Sequence, residues 1–99
     1  MFRVQTSRDN ETIQFALTGS LDMNGVDTLE DEFSKTEFTE GDTVEIDFED
    51  VEFIDSTGIG SIVNLIQSLE GSDIRYRLTN VSEEIQEVFT IIGLEDLVK

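Results

Sequence analysis

Val44-Glu45-Ile46-Asp47-Phe48-Glu49-Asp50-Val51-Glu52-Phe53-Ile54-Asp55-Ser56-Thr57-Gly58-Ile59-Gly60 contains the change of period that decides the fold. Val44, Ile46 and Phe48 alternate with Glu45, Asp47 and Glu49, the pattern of a strand with one apolar face. Val51, Phe53 and Ile54 then anchor a short connection. From Ser56 onward Ile59, Ile62, Val63 and Ile66 recur at i, i+3, i+4 and i+7, with Leu65 and Leu69 widening the stripe, so a helix follows and Gly71 stops it.

Reading outward, Val26, Leu29 and Phe33 give helical spacing before this strand, while Asp27, Glu30, Asp31 and Glu32 lie off the stripe. The spacing predicts a helix from Met23 to Phe38, capped by Asn24 or Asp22 and weakened in its first turn by Gly25. Before it, Phe2 to Thr6 and Ile13 to Thr18 alternate as two strands joined through the polar turn Ser7 to Glu11, an antiparallel hairpin with Gly19 ending the second strand. Downstream, Ile74 to Thr79 alternates as a fourth strand. Asn80 or Ser82 caps a last helix with stripe Ile85, Val88, Phe89 and Ile92, and Gly93 closes it, leaving Leu94 and Leu97 to dock the tail.

Strand, helix, strand is a crossover unit, right-handed and parallel in nearly all cases. The C-terminal ends of strands two and three therefore share an edge, which brings Gly19-Ser20-Leu21-Asp22 near Asp55-Ser56. Open sheets place their sites there. The expected fold is α/β: one mixed four-stranded sheet, an N-terminal hairpin plus parallel crossovers, packed with about four helices in a single domain over residues 1–99.

Composition narrows the chemistry. With 99 residues the chain buries about 65% of its extended surface on folding, enough for one core without metal or disulfide staples. Cysteine and histidine are both absent, which removes thiol nucleophiles, zinc-thiolate sites, Ser-His-Asp triads and histidine metal ligation. Acidic residues number 23 against 6 basic, a formal charge of -17. That charge repels nucleic acid and anionic membrane and either favours partners with basic surface or serves only to keep a small protein soluble. No apolar run is long enough to span a bilayer and Met1 to Gln5 is not an export segment, so the cytoplasm is the expected compartment.

Asp55, Ser56 and Thr57 put a carboxylate and two hydroxyls where a helix has unpaired backbone N–H groups. On their own they favour a plain cap, for which all three residue types are suited. Gly58 and Gly60 change that balance, since each costs roughly 0.8 to 1 kcal/mol in a helix relative to alanine. Small residues in the first turn leave Ser56 open to an approaching surface. A phosphate suits the position, because first-turn N–H groups and the helix dipole favour an anion. Ser56 is thus read as both cap and reversible phosphorylation switch, with Asp22 and Asp55 opposing the added charge.

The element order, with Gly19-Ser20-Leu21-Asp22 after strand two and Phe53-Ile54-Asp55-Ser56-Thr57-Gly58-Ile59-Gly60 after strand three, resembles the STAS-domain anti-sigma factor antagonists of bacteria. The likeness covers essentially the whole chain, and Ile91-Ile92-Gly93-Leu94 is similar to that family's last helix. The resemblance implies a binding module rather than an enzyme, without cofactor and monomeric when free. Its unphosphorylated form would bind an anti-sigma factor that is also a serine kinase. That kinase would spend ATP on the serine matching Ser56, and a metal-dependent serine phosphatase would restore the active form. Asp22 and Asp55 match acidic positions flanking the site, Thr57 supports the turn, and Asp22, Asp55, Thr57, Gly58, Ile59 and Gly60 are the expected partner contacts. A STAS subunit of a non-sigma pathway, a transporter or a signalling complex, binding its partner constitutively, is the alternative.

Other groupings weigh less. Asp47, Glu49, Asp50 and Glu52 lack the glycine-bearing twelve-residue loop of a calcium site and read as a solvated strand face. Arg75 and Arg77 face one side of a strand and are expected to pair with neighbouring carboxylates. Asp22 and Asp55 as a glycosidase acid and base lack a sugar cleft around them.

Overall fold

The computed structural model describes residues 1–91. The expectations for Ile92, Gly93, Leu94 and Leu97 lie outside the described residues. Strands β1 (Arg3–Asp9), β2 (Thr12–Leu21), β3 (Thr43–Ile54) and β4 (Arg75–Thr79) alternate with helices α1 (Val26–Lys35), α2 (Ser56–Gly71) and α3 (Glu83–Ile91) in the order β1-β2-α1-β3-α2-β4-α3. The four strands lie side by side in chain order. β1 is antiparallel to β2, with Arg3 opposite Thr18 and Asp9 opposite Thr12, while β2, β3 and β4 run parallel.

Both crossovers step in the same direction across the sheet, so right-handedness puts α1 and α2 on one face, where they pack against each other. That face holds the core. Ile13, Phe15 and Leu17 of β2 and Val44, Ile46 and Phe48 of β3 meet Leu29 of α1, Ile62, Ile66 and Leu69 of α2, and Ile85 and Phe89 of α3. The alternate strand residues make a polar face. There Arg77 pairs with Glu45, the kind of strand pairing expected, and Asn80 Nδ2 donates to Asp47 Oδ1 at 3.0 Å. Arg75 makes no ion pair among the described residues.

Several boundaries differ from the sequence reading, each for a physical reason. Three helices pack on the sheet among the described residues, against about four expected; residues 36–42 and 80–82 link elements without forming another helix. β3 continues through Val51, Phe53 and Ile54, which belong to the strand and not to a connection. Its alternation fails because the ladder with β2 shifts register between Ala16 and Thr18 and again between Gly19 and Ser20. Gly19 does not end β2. It sits at φ +95° with its α-carbon so close to the Met1 carbonyl that a Cβ would lie 2.3 Å from that oxygen, so glycine admits the N-terminus.

α1 is shorter than Met23 to Phe38. Its N-cap is Gly25, which offers no side-chain acceptor. Asp22 supports the approach instead: its carbonyl accepts from Gly25 and Val26, and its Oδ1 accepts from Asn24 N at 2.9 Å. Of the two caps considered for α3, Ser82 does the work, its Oγ accepting from Ile85 N at 3.3 Å.

One anchor escaped sequence reading. Gly41-Asp42 marks a turn, but Asp42 is only 3% exposed. Both its oxygens accept from the Arg8 guanidinium, at 3.0 and 3.1 Å, and Oδ2 also accepts from Thr39 N at 2.8 Å. The pair ties β1 to the turn before β3. Hydrogen bonds from Arg8, and then from Thr39, hold the Asp42 carboxyl at about 2, below its ordinary 3.8. A lowered folded pKa means the unfolded chain takes up the proton first. The pair's contribution is therefore full above pH 3.8 and lost as pH falls toward about 2. Urea melts of wild type and Asp42→Asn should differ at pH 5 and converge by pH 2; a constant gap would refute the assignment.

Candidate functional site

The site forms where β2 and β3 end. Asp55 leaves the strand at φ -104°, ψ -177° and is the N-cap of α2, its Oδ1 accepting from Gly58 N at 2.8 Å and its carbonyl accepting from Ile59 N at 2.9 Å. Asp55 N donates to the Leu21 carbonyl at 3.3 Å, so the loop after β2 and the start of α2 are joined by a backbone hydrogen bond. The expected meeting of Asp22 with Asp55 and Ser56 at one sheet edge follows from this tie.

Ser56 is the first residue of α2 and not its cap, which corrects the double role read from the sequence. Asp55 already serves the backbone. Ser56 and Thr57 are exposed, and among the described residues neither hydroxyl has a hydrogen-bond partner. Asp22 is half-buried.

Gly58 acts differently from the reading that it bares the serine. It is buried, and a Cβ on it would lie 2.1 Å from the Leu21 carbonyl oxygen and 2.9 Å from Leu21 Cγ. Glycine there lets the first turn of α2 press onto the end of β2. Gly60, by contrast, is exposed and a Cβ would meet nothing within 4 Å. Ile59 is 4% exposed and belongs to the core. Side-chain surface at this edge thus comes from Asp22, Ser56 and Thr57, with Gly60 beside them, and Gly58 and Ile59 hold the turn from beneath.

Two large apolar side chains close in sequence to these loops are exposed. Met23 is 66% exposed and Phe53 is 55% exposed, and Phe53 stands opposite Ser20 in the β2–β3 ladder. The sequence offers Phe53 as an apolar anchor of a short connection, whereas it lies in β3 with its ring exposed; the break in alternation after Phe48 is the sequence signal that the strand's facing changes there. Asp55 and Asp22 both accept backbone N–H groups, and among the described residues no cluster of three or more acidic side chains is arranged to hold a metal ion. No helix among the described residues is long and apolar enough to cross a membrane.

Comparison with known proteins agrees with this geometry. An anti-sigma-B factor antagonist of Staphylococcus aureus (strain NCTC 8325 / PS 47) is 28% identical over 94 residues, 95% of this chain and 87% of that one. The unphosphorylated form of the anti-sigma factor antagonist SpoIIAA superimposes with a TM-score of 0.77 at 27% identity, covering 97% of this chain and 85% of that one. SpoIIAA of Bacillus in its phosphorylated form gives 0.74 at 28% identity, covering 97% and 88%. The STAS domain family model matches residues 3–99, and with the mixed sheet, the parallel crossovers and the Asp55-capped helix all in place, the chain belongs to the STAS domain family.

Proposed function

We propose that the chain is an anti-sigma factor antagonist whose unphosphorylated form binds an anti-sigma factor that is also a serine kinase, and which is inactivated by phosphorylation at Ser56. One observation carries this reading: an exposed hydroxyl on the first residue of α2 whose neighbouring backbone is already capped by Asp55. A group free of structural duty can be modified without unfolding the domain. The similarity to SpoIIAA, a protein with phosphorylated and unphosphorylated structures, supports it.

Phosphate on Ser56 adds about 1.5 to 2 negative charges at neutral pH. The helix N-terminus tolerates them, but a partner docked on Asp22, Ser56 and Thr57 meets new charge and a larger desolvation cost at the centre of its contact. Binding is lost while the fold persists. A serine phosphatase returns the module to its binding form, and the chain itself performs no chemistry in this cycle, which runs in the cytoplasm.

Incubation with the cognate kinase and ATP should label wild type and leave Ser56→Ala unlabelled. In pull-downs from the source cell, Ser56→Ala should retain the kinase and Ser56→Asp should bind it at least about tenfold more weakly, a difference of about 1.4 kcal/mol. Equal labelling of Ser56→Ala would remove Ser56 as the acceptor, and equal retention by both variants would remove charge as the switch.

A further inference from the structure

A groove of about 340 Å³ runs between α1 and α2. Leu29, Phe33 and Leu65 give it an apolar lining, and Glu30 and Asp31 stand at its rim. Ser61 also lines it: the residue is 7% exposed, and its Oγ is buried with no hydrogen-bond partner. A buried hydroxyl left unpaired costs free energy that a ligand atom can recover. The groove is at the small end of ligand cavities, which run from about 300 to 1,000 Å³, a size for one long side chain rather than a whole cofactor.

We propose that this groove receives an arginine side chain of a partner polypeptide, its stem on Leu65 and Phe33 and its guanidinium between the carboxylates of Glu30 and Asp31 and the Ser61 hydroxyl, which turns about χ1 from its buried position to accept from it. The alternative occupants fit less well. An apolar side chain leaves Ser61 Oγ unpaired, and an anion meets Glu30 and Asp31 on a chain of formal charge -17. A lysine ammonium is a compact, strongly hydrated charge, whereas the planar guanidinium offers N–H donors in several directions at once and sheds water more readily. The long aliphatic stem of arginine matches the apolar lining. Ser61 lies five residues into α2 from Ser56, about 7.5 Å along the helix axis, so the groove is within reach of a partner that also contacts the sheet edge. The proposal does not depend on Ser56 being modified.

The test is a titration of the ¹⁵N-labelled chain with three blocked tripeptides, acetyl-Gly-X-Gly-amide with X arginine, citrulline or lysine, at about 0.15 M salt where exposed charges are screened beyond about 8 Å. The arginine peptide should give saturable shifts centred on Ser61, Asn64 and Leu65, with a dissociation constant on the order of 1 mM for a single side chain. Citrulline, which keeps the shape and lacks the charge, should give none, and lysine should bind at least about threefold more weakly. Ser61→Ala should weaken the arginine peptide about fivefold while thermal stability holds or rises, because the orphan hydroxyl is removed. Glu30→Gln with Asp31→Asn should weaken it by a similar factor. Shifts spread over all acidic surfaces without saturation, equal binding of citrulline or lysine, or indifference to Ser61→Ala would each overturn the proposal.

Discussion

Gly58→Ala should destabilise the domain, and Gly60→Ala, two residues along the same helix turn, should stabilise it. At Gly58 the new methyl falls 2.1 Å from a backbone oxygen, that of Leu21, which cannot rotate away. The first turn of α2 must lift off β2, straining the Asp55 N to Leu21 O hydrogen bond and the Asp55 cap together. Overpacking of this kind costs about 1 to 3 kcal/mol. Since 1 kcal/mol moves the Tm of a domain this size by about 4 to 8 °C, a fall of at least about 4 °C is expected. Gly60 meets nothing within 4 Å, so alanine there should add about 0.8 to 1 kcal/mol of helix propensity. Calorimetry of the two variants side by side checks the contrast; shifts of the same sign would mean that α2 does not seat on Leu21 as described.

Phe15→Ala should come close to unfolding the protein. Phe15 is 0% exposed, its ring centroid lying 6.2 Å from Phe33 and 6.4 Å from Phe38, which are themselves 5.1 Å apart. The cluster pins α1 and the segment after it to the sheet. Truncating a buried phenylalanine costs about 3 to 5 kcal/mol, against about 5 to 15 kcal/mol for the whole stability of a small domain. Chemical denaturation should show the midpoint falling with the slope unchanged. A loss under about 1 kcal/mol would place the ring outside the core.

Most of the fold was legible because its signals are local. Val44, Ile46 and Phe48 announce a strand by alternation, Ile59 to Leu69 a helix by spacing, and right-handed crossover geometry then places Asp22 beside Asp55 with no further information. What stayed hidden needs three dimensions. The Arg8–Asp42 pair joins residues 34 apart in sequence, and a buried carboxylate looks like any turn aspartate until its partner is known. Gly58 and Gly60 are indistinguishable in the sequence, and only the position of the Leu21 carbonyl separates a glycine required for close approach from one that could be replaced. The reading of Phe53 failed because the register shifts against β2 decide which side chains of β3 turn outward, and the lost alternation after Phe48 marks the break without saying which ones do.

The hydrogen bond from Asp55 N to Leu21 O has a mechanical consequence. It couples two loops that arise from different strands, and the glycine contact beneath it leaves no slack, so the Asp22 loop and the first turn of α2 move as one lever. A displacement of either loop therefore loads the other directly, through this hydrogen bond and close contact and not only through the core.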